Sequence, residues 1–226
     1  MSFSEYLKSR LYELGLDDTA RMEASTFIRG SIAVARGRLR SPIRSRPRGD
    51  YLHLGCGLDS FPGFVNIDRV RTPATDFVVD IRRELPFATQ SVRGIFHQHA
   101  FEHIDRLRGG RTLLRESARV LVPGGLLRMG IPDLAKYVAA YLRFDKQFAA
   151  AIGLGDADHA AHILNHAFAH GHRFMYDFDA ISAELRDAGF LDIRAAAFRD
   201  SADPMLNHDK DEPGRMAETL FVEARR

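Results

Sequence analysis

Residues 51–57 read Tyr-Leu-His-Leu-Gly-Cys-Gly, a short apolar run ending in two glycines one residue apart. Four mostly apolar residues bounded by turn formers read as a buried strand. Gly55 and Gly57 allow the chain behind that strand to turn sharply and a ligand to approach its backbone. By itself, Gly-x-Gly after a strand also marks ordinary turns, so the reading depends on the segments downstream. Further short apolar segments appear at FVNI (64–67), DFVV (76–79), VRGIF (92–96) and LLRMGI (126–131). Helical spacing is found near 109–122, 133–150, 157–168 and 179–188, and two more strands, 191–198 and 219–223, close the chain. In 109–122 the residues Leu113, Leu114, Ala118 and Leu121 share a face, and Pro123-Gly124-Gly125 ends the helix. Strands alternating with helices predict an α/β fold, a mostly parallel seven-stranded sheet with helices on both faces.

In such a sheet, ligands bind beyond the carboxyl ends of the strands, where strand order reverses. The residues to inspect therefore come after Leu54, Ile67, Val79, Phe96 and Ile131. Asp68 ends FVNID and Asp80 ends FVVD. A carboxylate in the first position can accept both hydroxyls of a ribose, and one in the second falls where adenine recognition is expected. Either acid can instead cap a turn. Together with the glycines they form three such features at successive strand ends. Only eleven positions separate Gly57 from Asp68, too few for a strand-linking helix of normal length, so a turn around Leu58–Pro62 is expected. A dinucleotide-binding unit places its acid roughly 20 residues on and needs a third glycine, where this chain has Ser60. That argues against NAD(P).

The series YLHLGCG, PGFVNID, VVDIRRELPF, IFHQHAFEHI, RVLVPGGLLRMGIPDL and FMYDFDAISAELRDAGF resembles the type 11-like class I S-adenosylmethionine (SAM)-dependent methyltransferases, from about Tyr51 to the end of the chain. The resemblance implies a Rossmann-like, seven-stranded methyltransferase domain over residues 50–226 with SAM as cofactor. It implies that Gly55, Cys56 and Gly57 face the methionine part of SAM and Asp68, with Arg69 beside it, the ribose. It further implies that Asp80 and Ile81 serve adenine, and that the backbone of His97 and Gln98 receives the methionine amine. The shortened connection before PGFVNID is shared by members of this class.

Two histidine groups remain. His99, Glu102 and His103 would share a face if the segment were helical, and imidazole with carboxylate suits a divalent metal. A related EH pair resembles the metal-binding segment of ubiquinone-biosynthesis O-methyltransferases. The favoured reading is a buried, hydrogen-bonded Glu102–His103 pair with no metal. The second group is His159, His162, His166, His170 and His172. The first three sit at helical spacing and read as polar surface. His170 and His172 lie between the fifth strand and a helix capped by Asp177, on the cofactor side, where they can roof an active site. A histidine near neutral pKa is a natural base for a hydroxyl proton. His170, His172 and His103 are therefore the catalytic candidates.

Residues 1–49 form a separate extension, read as helices over 3–14 and 18–36 followed by a basic linker. Ten Lys or Arg face five acids there, a net +5 against +2 for the whole chain. Six arginines fall between Arg36 and Arg48 without interleaved aromatics, so the stacking partners of single-stranded RNA are absent and a solvated linker is expected. The single cysteine, Cys56, fits a reducing compartment, and no apolar run approaches the roughly 20 residues of a membrane span. A cytoplasmic location without a membrane partner is expected. The leading function is methylation of a small molecule, on an oxygen of a sugar or secondary metabolite. The alternatives are N-methylation, a non-catalytic SAM-binding partner subunit, or RNA modification through the arginine-rich arm. Exchange of the N-terminal helices between subunits leaves a homodimer open.

Overall fold

The computed structural model describes residues 50–226. The helices expected over 3–14 and 18–36, and the basic linker, lie outside the described residues. Seven strands form one sheet: β1 (Tyr51–Leu54), β2 (Phe64–Asp68), β3 (Phe77–Val78), β4 (Val92–Gln98), β5 (Leu121–Pro132), β6 (Leu191–Ala196) and β7 (Thr219–Arg225). Their order is β3-β2-β1-β4-β5-β7-β6. The pairs from β3 through to β5 are parallel, and β7 runs antiparallel between β5 and β6. β1 is buried along its whole length, as a strand covered on both faces must be. The order reverses between β1 and β4, so the crevice for a ligand opens where Gly55 and His99 leave the sheet.

Helix α1 (Arg111–Val120) buries Leu113, Leu114, Ser117 and Ala118. It ends two residues before the expected limit because Leu121 already pairs with Val92 as the first residue of β5. The next glycines serve the strand. Gly124 turns with a φ of 76° and donates its N–H to the Arg226 carbonyl at 2.8 Å. A Cβ on Gly125 would stand 2.9 Å from the Val122 carbonyl oxygen.

The helix expected over 133–150 is two: α2 (Leu134–Arg143) and α3 (Lys146–Ala151). Phe144 takes a left-handed conformation with φ 44°, and the Asp145 carboxylate then accepts the Phe148 N–H, starting a new helix. After α4 (Ala161–Ala169), the chain returns to the sheet at Tyr176, whose carbonyl accepts the Leu134 N–H at 2.9 Å. Residues 134–175 are thus an excursion closed at its base. It holds a small core of its own: Tyr137, Ala140, Ala149, Ile152, Ile163, Ala167 and Met175. Asp177 caps α5 (Phe178–Asp187) as expected, accepting the Ala180 N–H.

The connection from β1 to β2 is a turn, as its length requires, so it supplies no helix to the face of the sheet that it crosses. Residues between β6 and β7 cover it. Leu206 is fully buried among Tyr51, Phe64, Phe96 and Leu126, and Phe61 is stacked between His53 at 4.2 Å and His208 at 4.1 Å. Arg128 of β5 holds that segment down. Its guanidinium is wholly buried, paired with Asp209 and, at 3.1 Å, with Glu223, and it donates to the Ala197 carbonyl at 2.9 Å. The helix α6 (Pro213–Glu218), not foreseen in the sequence, leads from this segment into β7.

A buried cation that loses one partner is left uncompensated, at a cost of about 3–5 kcal/mol. Asp209→Ala should lower unfolding stability in urea by that amount. A loss below about 1 kcal/mol would mean that water replaces the carboxylate and that the pair does not hold the segment.

Candidate active site

The cofactor side of the site is built from strand ends. Gly55 and Gly57 have φ of 71° and 57°, and both lie in the region that disfavours other residues. A Cβ on Gly55 would come within 2.7 Å of the Ala100 side chain, so the loops after β1 and β4 touch there. At Gly57 a Cβ would meet nothing within 4 Å, so open space adjoins the backbone. Asp68 ties the loop to β2, accepting the N–H of Gly57 at 2.9 Å and that of Val70 at 2.8 Å. Each carboxylate oxygen keeps a further acceptor site for a hydroxyl. The Arg69 side chain is exposed beside it. Glycine turn, open space and partly exposed carboxylate together fit a nucleoside with an attached amino acid.

Other expected cofactor residues are engaged within the fold. Cys56 is buried, its thiol 3.8 Å from the Thr75 hydroxyl, and burial pushes its pKa up to about 11. Asp80 receives a two-pronged contact from Arg82, both bonds at 2.8 Å; the pair holds the carboxyl below its usual range. Ile81 packs on the main core. His97 is buried, and neither ring nitrogen has a hydrogen-bond partner among the described residues. Gln98 accepts the Lys210 N–H at 3.0 Å, while its amide nitrogen is buried without a partner among the described residues.

The three catalytic candidates come together. His103, His170 and His172 line one cavity of about 490 Å³ together with Arg215 and Glu218 of α6. The excursion α2–α4 supplies the rest through Ile152 and His166. His99 links this cavity to the end of β4: its Nδ1 lies 3.2 Å from Glu102 and its Nε2 4.0 Å from Glu218. Burial raises the pKa of Glu102. The His172 Nδ1–H donates to the Ala167 carbonyl at 2.6 Å, and burial brings its pKa down to about 4.

Two expectations change. His99 has φ 50° and lies outside the short turn Phe101–His103, so His99, Glu102 and His103 do not form one helical face. His99 instead meets the Thr219 hydroxyl at 2.8 Å. Nor are Glu102 and His103 a buried hydrogen-bonded pair, because their nearest polar atoms are 3.9 Å apart and His103 is 38% exposed. His159 and His162 are surface residues beside Asp158, as expected for polar surface. His166, grouped with them by spacing, turns into the cavity. Tyr137, Arg215 and Glu218 were missed because nothing in their local sequence marks them.

Residues 35–129 match the family model described as Methyltransferase domain (Methyltransf_11). Among curated proteins no match was found. Among solved structures, the chain is similar to a SAM-dependent methyltransferase from Archaeoglobus fulgidus (13% identity, 87% of this chain and 94% of the other, TM-score 0.47). It is also similar to a possible histamine N-methyltransferase from Thermotoga maritima (15% identity, 98% and 99%, TM-score 0.47). The family match covers less than half of the chain, and the strand order, with β7 antiparallel between β5 and β6, is that of a Rossmann-like seven-stranded sheet.

Burial holds the pKa of His53 down to about 4 and that of His97 to about 3, against the 6.5 of a solvated imidazole. The unfolded chain therefore takes up protons that the folded one refuses. The stability from keeping both rings neutral is fully present above pH 6.5 and is lost as pH falls towards 4. Two such groups give a slope of about 2.7 kcal/mol per pH unit. His97→Leu should reduce the steepness of the fall in urea-unfolding stability below about pH 6.5 by one group's share, up to about 1.4 kcal/mol per pH unit. An unchanged slope would assign the acid sensitivity elsewhere.

Proposed function

We propose that the protein transfers the methyl group of SAM to a hydroxyl oxygen of a small molecule, such as a sugar or secondary metabolite, seated in the histidine-lined cavity. The cofactor of the domain is S-adenosylmethionine. The reading is carried by one observation: His103, His170 and His172 face a single cavity, and His99, the residue after β4, contacts Glu102, the neighbour of His103. A cavity of about 490 Å³ is of the size that takes a small-molecule ligand.

SAM supplies an activated methyl carbon, so the protein needs no nucleophile of its own, only orientation and proton removal. The loop Gly55–Gly57 and Asp68 would hold the nucleoside and amino-acid ends. On the acceptor side a chain of contacts sets tautomers. Tyr137 donates its hydroxyl proton to Glu218. Its oxygen then accepts from Nδ1–H of His166, 3.2 Å away. Nε2 of His166 is left to accept from Nε2–H of His170, also 3.2 Å away. Nδ1 of His170 is thereby free of its proton and able to take one from the acceptor hydroxyl. A second reading, N-methylation, draws on Glu212 and Glu218, carboxylates of the same cavity that would hold an ammonium acceptor. An amine already carries its nucleophilic lone pair once neutral, so His170 would matter less.

Calorimetry should show SAM, or its demethylated product, binding in the micromolar range, about −8 kcal/mol. Asp68→Ala should weaken this at least about tenfold, since hydrogen bonds to a charged group contribute about 1.5–3 kcal/mol. Unchanged affinity would leave Asp68 as a turn anchor alone.

For the acceptor side, His170→Ala should lower kcat about 10²–10⁴-fold with SAM affinity retained. Full turnover in that variant would sink the base role and favour the amine reading.

A further inference from the structure

Glu102 is the most conspicuous polar group the fold leaves uncompensated. It is 1% exposed, neither carboxylate oxygen has a hydrogen-bond partner among the described residues, and it lies beside His103 and His172, which line the cavity. A buried carboxylate without partners costs several kcal/mol unless it takes up a proton or pairs with a cation. The neighbours that face it are imidazoles, the nearest being Nδ1 of His99 at 3.2 Å from Oε1, held by its own Nε2 contact to the Thr219 hydroxyl. Nε2 of His103 lies 3.9 Å from Oε1, and Nε2 of His172 lies 4.0 Å from the same oxygen. One ligand atom from each of the three residues falls within 4.8 Å of the others.

The state of His172 is decided by its surroundings. Its Nδ1 lies 2.6 Å from the Ala167 carbonyl oxygen, which can only accept. In the neutral ring the proton is therefore on Nδ1, and Nε2 presents its lone pair towards Glu102. That is the arrangement of a metal-binding histidine, whose second nitrogen is fixed by a backbone carbonyl. His103, half exposed, is free to turn its ring about its side-chain bonds. Ligands about 2.0–2.2 Å from a tetrahedral ion stand about 3.4 Å apart, so shifts of about half an ångström at each side chain close the site.

We propose that Glu102, His103 and His172 bind a divalent transition ion of the zinc type, with its remaining coordination position open to the cavity. Two imidazoles and one carboxylate favour such an ion over magnesium or calcium, which take mostly oxygen ligands. The role of the ion rests on the methyl-transfer reading above; its binding does not. Bound there, it accepts the acceptor's hydroxyl oxygen as a ligand and makes that proton easier to remove. The O–H proton passes to Nδ1 of His170. A lone pair of the oxygen forms the new O–CH₃ bond, and the electrons of the breaking S–CH₃ bond stay on sulfur.

The test uses the full chain, stripped with a chelator and titrated with Co²⁺ followed by its visible absorption, with Zn²⁺ as competitor and Mg²⁺ for comparison. One Co²⁺ per chain should bind, be displaced by Zn²⁺, and resist Mg²⁺ in large excess. His172→Gln and Glu102→Gln should each weaken it by at least about 100-fold. His103→Gln, at a half-exposed position where misfolding is not a concern, should do so as well. His162→Gln, at the surface pair with Asp158, should leave the signal intact. The proposal is overturned if no stoichiometric ion binds, if His103→Gln binds as tightly as the parent, or if His162→Gln abolishes the signal. SAM calorimetry on the stripped protein separates the two readings. SAM binding together with methyl transfer that survives chelation would reject the ion and keep the methyltransferase reading. Failure of SAM to bind would reject that reading whatever the metal does.

Discussion

The guanidinium of Arg128 lies wholly buried in the sheet, and the segment between β6 and β7 depends on it. Asp209 and Glu223 neutralise it from two different parts of the chain. Glu223 is itself bound by Ser201 and Arg194, and these contacts, with the charge of Arg128, outweigh its burial and hold its carboxyl below the usual range. The consequences reach the site. Next to Asp209, the Lys210 N–H donates to the side chain of Gln98 at the end of β4, and its ammonium pairs with Asp59 at 2.7 Å in the turn after β1. One buried ion cluster thereby steadies both edges of the crevice where the strand order reverses. The segment also shields the face that the short β1–β2 connection leaves bare, with Leu206 and His208 standing where a helix would otherwise pack.

The cavity owes its walls to a different device. The excursion over residues 134–175 leaves and rejoins the sheet at neighbouring positions, Asp133 and Tyr176. Its base is therefore pinned while its helices project over the carboxyl ends of the strands. Its own apolar cluster keeps α2 and α4 packed, and Tyr137, buried on α2, reaches both His166 of α4 and Glu218 of α6. The cavity is thus lined from separate elements, each held by a core that the ligand does not have to create. A site on packed elements keeps its geometry better than one on loops.

Parts of this were legible in order along the chain. The glycine pair after Tyr51–Leu54, the acid at Asp68 and the alternation of apolar runs identify a parallel sheet and place its ligand edge. The eleven positions between Gly57 and Asp68 excluded a helix there, and the structure has a turn. The break at Phe144 was not legible, because one residue in a left-handed conformation leaves little trace in apolar periodicity. Nor were all the neighbours of Glu102. Spacing offered His99 and His103, which do face it, while a third imidazole, His172, joins them from some seventy residues further on.

The sequence by itself determined the sheet, its ligand-binding edge and the histidines worth watching, since strand period, turn residues and strand-end acids are local properties. Only the tertiary structure decided which histidines share a cavity, which carboxylate lacks a partner, and which arginine closes the bare face. Those are outcomes of long-range packing. Arg128 and Asp209, or Glu102 and His172, become neighbours only when the whole sheet and its excursion are assembled, and burial then makes their pairing matter.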